Sequence, residues 1–233
     1  MRKVCFFGGQ KIASEWSCRD AVLSLYLRGD EKGNLMSKNI WDVFAPVYEF
    51  AMRSQKKIYD FMYERIGEVA RGKDVLELAT GPGMIARHIA PHANLVIATD
   101  FAPKMIETAR KAKNPENVRF EVADATSLHF MDNAFDVVVI ANALHIIPEP
   151  SKALAEIRRV LNDDGVLIAP NFIFPADGKR NLWQKLLSLV GVRFAHEWTE
   201  DEYKSFLKGN GWTITENCVI KGRIDLAYVE CRK

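Results

Sequence analysis

The stretch "VLELATGPGMIA", Val75 to Ala86, decides the fold. A short apolar run carrying one acid, Glu77, gives way to Gly81 and Gly83, and a helical apolar pattern opens at Met84. A strand that turns on glycines into a helix lets a ligand approach backbone amides with no Cβ in the way. The segment GPGMIA also satisfies the loose G-x-G-x-x-[GA] pattern of dinucleotide sites, so the turn alone leaves the ligand open.

Working outward, strand and helix patterns alternate. DVLELA is followed by NLVIATD, VRFEVAD, the nearly continuous apolar run FDVVVIAN, and VLIAPNF. Helical patterns lie between them at MIARHIA, at APKMIETARKAK from about Pro103, and at SKALAEIRRVLND, which Asp164-Gly165 should close. That alternation predicts a parallel sheet covered on both faces. The ending differs, because GWTITENCVIKG and RIDLAYVECRK meet at a Lys-Gly-Arg turn, too short for a crossover helix. The expected fold is therefore α/β: a Rossmann-like, doubly wound, mostly parallel sheet of seven strands ending in an antiparallel hairpin. Ahead of the first strand, helical patterns run near 38–52 and 54–70. Residues 36–233 are expected to form one domain, and residues 1–35 an N-terminal extension; a start at Met36 is the competing reading.

Composition narrows the class. Of 233 residues 48% are hydrophobic, enough for a full core, and the net charge of +2 predicts no strong field. The basic clusters at Arg110–Lys113, Arg158-Arg159 and Lys179-Arg180 sit among acids and read as solvated helix faces, which argues against nucleic acid. Cys5, Cys18, Cys218 and Cys231 form no C-x-x-C pair and have no histidine at ligand spacing, so free thiols and no metal site are expected. No segment has the length of a membrane span, and a cytoplasmic protein without stable membrane insertion is the expectation.

Three acids fall at successive strand ends: Glu77, Asp100 some twenty residues later, and Asp124. A carboxylate before the glycine turn would repel a pyrophosphate but suits an ammonium or sulfonium. Asp100 is placed to accept from both ribose hydroxyls, and Asp124-Ala125 stands where an acid could receive an adenine amino group. With these residues, the chain from about Lys38 onward resembles the class I S-adenosylmethionine-dependent methyltransferases, and more narrowly the small-molecule branch related to ubiquinone and menaquinone biosynthesis enzymes. ELATGPG is similar to that family's first motif, E/D-x-G-x-G-x-G, with Ala79 in place of the first glycine. SLHFMDNAFDVVVIANALH resembles the family's passage through strand four, and the reversed final hairpin is its topological mark.

The resemblance implies S-adenosylmethionine as cofactor and a role for each position. Glu77 and the backbone of Ala79, Gly81 and Gly83 would hold the methionine end, with alanine at 79 a mild change. Asp100 would take the ribose, Phe101 and Met105 would face the adenine, Asp124 and Ala125 would sit at its edge, and Asn142 would lie beneath the cofactor. Trp41, Phe44 and Tyr48 resemble a lid over the cofactor, against the plainer reading of core packing. His145, just after strand four, and Tyr48 are the candidates for a general base, needed only when the acceptor starts protonated. A second lid near 171–200 carries Leu182, Trp183, Leu186, Leu187 and Val190 on one helical stripe, with Phe172 and Phe174 toward the same cavity. His196 precedes a helix for which Thr199 is a plausible N-cap. The absence of an N-P-P-Y motif, here NALH, leaves a small organic acceptor as the first expectation and a peptide group as the second. The rivals are a nicotinamide-dependent oxidoreductase and a catalytically silent methyltransferase-like interaction subunit. The sequence does not specify an oligomeric state.

Overall fold

The computed structural model describes residues 6–7, 10–11, 41–42, 45, 48–52, 55–175 and 195–233. The elements that build the main body are α1 (Tyr48–Met52), α2 (Lys56–Val69), β1 (Asp74–Leu78), α3 (Met84–Ile89), β2 (Leu95–Asp100), α4 (Pro103–Lys111) and β3 (Val118–Val122). They continue with β4 (Phe135–Ile140), α5 (Pro150–Val160), β5 (Leu161–Ile168), β6 (Asn171–Phe172), α6 (Glu200–Gly209), β7 (Thr213–Ile220) and β8 (Leu226–Arg232). A two-residue ladder, Phe6–Phe7 against Gln10–Lys11, lies outside this sheet. Otherwise the N-terminal extension, Phe44 and the 182–190 stripe fall outside the described residues.

The sheet runs β3-β2-β1-β4-β5-β8-β6, with β7 paired to β8. The first five strands are mutually parallel; β8 is antiparallel to β5, and β7 is antiparallel to β8. The strand order reverses between β1 and β4, so a crevice opens outside their C-terminal ends.

Side-chain alternation accounts for the apolar strands. Val75, Val137 and Val139 face a core shared with Ile58, Met62, Ile66, Ile85 and Ile106 of α2, α3 and α4. Leu76, Leu78, Val138 and Ile140 face the opposite core, with Leu154 and Ile157 of α5 and Tyr203 and Leu207 of α6. With both faces covered, period two no longer shows as alternating polarity.

Two boundaries differ from expectation. The α5 helix stops at Val160, four residues before Asp164-Gly165, because Leu161 turns extended (φ −74°, ψ 137°) and pairs with Phe135. The carbonyls of Arg159 and Val160 are taken by the amides of Asn133 and Ala134, which ends the helix without a glycine. The fifth strand of the sequence reading is broken at Ala169-Pro170, where proline supplies no ladder donor. Its continuation, β6, pairs with β8, so seven expected strands are counted as eight.

Several charges hold the frame. Arg65 of α2 donates from Nε (2.7 Å) and Nη2 (3.1 Å) to buried Glu230 of β8, which also accepts from the Tyr228 hydroxyl. The Arg158-Arg159 cluster is structural rather than merely solvated: Arg158 stacks over Trp212, and Arg159 bridges Glu156, Asp132 and the carbonyls of Leu128 and Phe130. Thr199 caps α6 in a reciprocal box with Glu202. Cys218 and Cys231 are free thiols, and burial pushes Cys231 up to about 12.

Candidate functional site

A cavity of about 330 Å³ lies at the C-terminal ends of the parallel strands. The exits of four of them contribute: Ala79 and Gly81 after β1, Asp100 to Ala102 after β2, Ala123 to Thr126 after β3, and Ala141 to Ala143 after β4. Met105 of α4 forms one side, and Trp41 and Tyr48 of the N-terminal segment close another by packing on Ala45, Ala102 and Met105. Two polar contacts hold that cover down: Asp42 Oδ1 accepts from the Lys104 amide at the start of α4, and Glu49 pairs with Arg87 of α3. The sequence-predicted residues Tyr48, Ala79, Gly81, Asp100, Phe101, Met105, Asp124, Ala125 and Asn142 therefore share one cavity. Glu77, Gly83 and His145 are not among its lining.

The turn is tuned by unusual backbone angles. Gly81 has φ +58°, and a Cβ added there would meet nothing nearer than Tyr48 Cε1 at 4.0 Å, so its backbone opens on the cavity. Gly83, φ +81°, serves a different end: its Cβ would lie 2.6 Å from the Phe120 ring, so the residue is needed for packing at the start of α3. Ala79 also adopts a left-handed conformation, φ +53°, which alanine disfavours. The exchange from glycine is therefore a strained one, not a mild one. Asn142, likewise at φ +53°, is a residue type that tolerates this region better.

Asp100 is held in place by the chain itself. Its Oδ2 accepts from the Gly81 amide and its Oδ1 from the Ala102 amide, both at 2.8 Å. Burial raises its pKa, the two amides oppose the rise, and nearby Asp42 adds to it. Asp124 is exposed and folds back on the amide and hydroxyl of Thr126.

The two base candidates are tuned away from that task. Tyr48 is raised by burial, with Asp100 and Glu77 adding to the rise, while a hydrogen bond from Tyr59 offsets part of it. Its phenol thus keeps its proton at neutral pH. His145 is 3% exposed, and burial pulls it down to about 4, with His196 adding to the fall. Its Nδ1 lies 2.8 Å from Asn171 Oδ1, and Asn171 spends its Nδ2 on the Phe172 carbonyl. That second bond orients the amide, so Nδ1 of His145 carries the hydrogen. Asn171 was not singled out in the sequence.

Comparison with known proteins places the chain. A family model described as a methyltransferase domain matches residues 76–169. The demethylmenaquinone methyltransferase of Renibacterium salmoninarum is 32% identical over 144 residues, 60% of each chain. The ubiquinone/menaquinone biosynthesis C-methyltransferase UbiE of Desulfotalea psychrophila is 30% identical over 175 residues, 69% of this chain and 68% of that one. Among solved structures, the methyltransferase in complex with the Haloferax volcanii Trm112 methyltransferase activator superposes with a TM-score of 0.69 at 18% identity, covering 84% of this chain and 96% of that one. The chain belongs to the class I S-adenosylmethionine-dependent methyltransferases.

For a methyltransferase, the charge balance of the cavity is informative. Among the described lining residues the ionisable side chains that carry charge are Asp100, Asp124 and Glu149, all acidic, and none is Lys or Arg. S-adenosylmethionine, a nucleoside bearing a sulfonium and an ammonium, fits that donor set; a pyrophosphate does not. Asn142 Oδ1 is buried without a hydrogen-bond partner among the described residues, as expected beside a ligand site. Glu149, Ile146 and Ile147 were missed in the sequence, because a loop after a strand carries no periodicity to reveal which way it folds. No group of metal-ligating side chains occurs among the described residues, nor any helix long and apolar enough to cross a membrane.

Proposed function

We propose that this methyltransferase transfers the methyl of S-adenosylmethionine to carbon on a small, partly apolar acceptor of the demethylmenaquinone kind. The observation that carries the reading is the cavity at the strand exits, whose charged lining is acidic and whose remaining lining is mostly apolar, joined to relatives that are named for such acceptors. Bound there, S-adenosylmethionine supplies a methyl already activated by its sulfonium.

The chain's own residues supply alignment and exclusion of water. Asp100, pinned by two amides, takes the ribose hydroxyls with lone pairs that remain after those bonds. Gly81 offers open backbone to the amino-acid end, and Phe101, Met105 and Ala125 bracket the base, with Asp124 at its edge. Trp41 and Tyr48 cover the cavity from solvent. The Tyr48 hydroxyl is a donor rather than a base, and His145 acts as a positioning residue that fixes the β4 exit to Asn171. An acceptor of the quinol type brings an acidic hydroxyl whose ionised form activates ring carbon, so this scheme asks for no strong protein base. Residues 36–233 would form the catalytic domain, with an oligomeric state open to measurement and small molecules, not nucleic acid, as partners.

The test is transfer of labelled methyl from S-adenosylmethionine to a reduced demethylnaphthoquinone. Label on ring carbon supports the reading. Label on oxygen only, or none with an acceptor that a UbiE-type enzyme methylates in parallel, refutes it.

A further inference from the structure

Arg87 lies outside the cavity lining, and the scheme above gives it no task. It stands on α3, one helical turn after Gly83, with its side chain 16% exposed. Its guanidinium is shared between two partners. Nη1 donates to the Pro82 carbonyl at 2.6 Å, and Nη2 donates to Glu49 Oε1. Pro82 separates Gly81 from Gly83, so the first bond braces the glycine turn. Glu49 follows Tyr48 on α1, so the second bond reaches the cover. Tyr48 itself sits over the same turn: its Cε1 lies 4.0 Å from the point that a Cβ on Gly81 would occupy. Two consecutive residues of α1 thus meet the turn, one at the cavity and one through Arg87. The planar fork of an arginine can serve both points at once, which a single ammonium cannot do in the same way. The root of the cover is fixed differently. Buried Gln55, between α1 and α2, accepts from the Arg223 amide at 3.0 Å and donates to the Ile224 carbonyl at 3.4 Å, both in the turn between β7 and β8.

We infer that Arg87 is a positioning residue, a clasp that fastens the cover to the glycine turn and so slows the escape of S-adenosylmethionine from the cavity. The inference rests on the cofactor reading above and extends it to a residue that does not line the cavity. With its root held by buried bonds, the cover parts most easily at its surface ties. Those ties are Glu49 on Arg87 and Asp42 on the Lys104 amide, and the Glu49 side chain is 53% exposed. Because Arg87 holds the Pro82 carbonyl as well, closing the cover and bracing the turn draw on one guanidinium. Losing the Glu49 end frees Tyr48 to lift from Gly81, which opens the cavity on its amino-acid side. A half-exposed ion pair is screened by salt, so the clasp loosens as ionic strength rises.

Stopped-flow tryptophan fluorescence measures the dissociation rate of S-adenosylmethionine, with Trp41 in the cavity wall as a reporter of occupation. Wild type, Glu49→Gln, Arg87→Gln and the double variant form a cycle. Glu49→Gln should raise the rate about threefold, the scale of a partly exposed ion pair. Arg87→Gln, which also frees Pro82, should raise it at least as much. Adding Glu49→Gln to Arg87→Gln should change nothing further, because the tie is already broken. Raising salt from about 0.05 to about 0.5 M should speed release from the wild type more than from Glu49→Gln. An arginine that merely braced the turn would leave Glu49→Gln silent, or give effects that multiply in the double variant, and either result overturns the inference. If the Arg87 variants do not fold, the salt comparison of wild type with Glu49→Gln decides, and parallel slopes overturn the clasp. Binding with equal dissociation rates sinks the clasp alone, whereas no binding by the wild type sinks the cofactor reading itself.

Discussion

Replacing Ala79 with glycine should make this protein more stable, which reverses the usual effect of introducing a glycine. Ala79 stands at φ +53°, where a Cβ costs roughly 1–2 kcal/mol. Two terms work against the gain. Glycine adds about 0.4–1 kcal/mol of unfolded-chain entropy, and the half-buried methyl gives up a few tenths of a kcal/mol of packing. The net is a stabilisation of about 0.5 kcal/mol, or roughly 1–2 °C in Tm for a chain of this size. The two true glycines calibrate the argument. Gly81→Ala incurs the same left-handed cost in open space, so it should destabilise by about 1 kcal/mol or less. It should also weaken S-adenosylmethionine binding severely, because the new methyl occupies the ligand's approach. Gly83→Ala adds a 2.6 Å clash with the Phe120 ring, which brings the loss to about 2–4 kcal/mol. Thermal melts of the three variants, with calorimetric binding on each, test the set. A lower Tm for Ala79→Gly, or Gly83→Ala more stable than Gly81→Ala, would refute the reasoning from backbone angles.

Other perturbations have equally definite outcomes. Asp100→Ala removes the acceptor of two amides at 2.8 Å and the proposed ribose ligand, so S-adenosylmethionine affinity should fall at least a hundredfold; unchanged affinity in a calorimeter would exclude that role. Arg65→Ala leaves Glu230 buried without its partner and should cost about 2 kcal/mol, discounted because Arg65 is partly exposed; urea melts that overlay the wild type would deny the pair a structural role. His145 sits at about 4 in the folded chain, below the ordinary 6.5, so its contribution is present above pH 6.5 and is lost as pH falls through 4. The wild type should therefore lose more Tm between pH 6.5 and 4 than His145→Gln, and parallel losses would contradict that assignment.

Much of this architecture was legible in the chain. The continuous apolar runs at β1 and β4 announce strands covered on both faces, and the Lys-Gly-Arg turn forces the antiparallel ending. Site residues at strand exits were legible for the same reason: acids placed at the ends of parallel strands converge once the sheet forms. What stayed hidden depends on side-chain direction. Glu77 reads as one more acid at the site, yet its pleat position turns it inward, away from the cavity lining. His145 reads as a catalytic base, but burial and Asn171, distant in sequence, give it another role. The end of α5 was misplaced because a backbone pairing with the loop before β4, not a glycine, stops the helix.

The central claim is that the cavity takes a cationic nucleoside rather than a dinucleotide. Its most direct test is parallel calorimetric titration of wild type and Asp100→Ala with S-adenosylmethionine and NAD. The structure predicts saturable binding of S-adenosylmethionine to the wild type, loss of that binding in Asp100→Ala, and no heat from NAD. NAD binding to the wild type with silence from S-adenosylmethionine would contradict the account at its root.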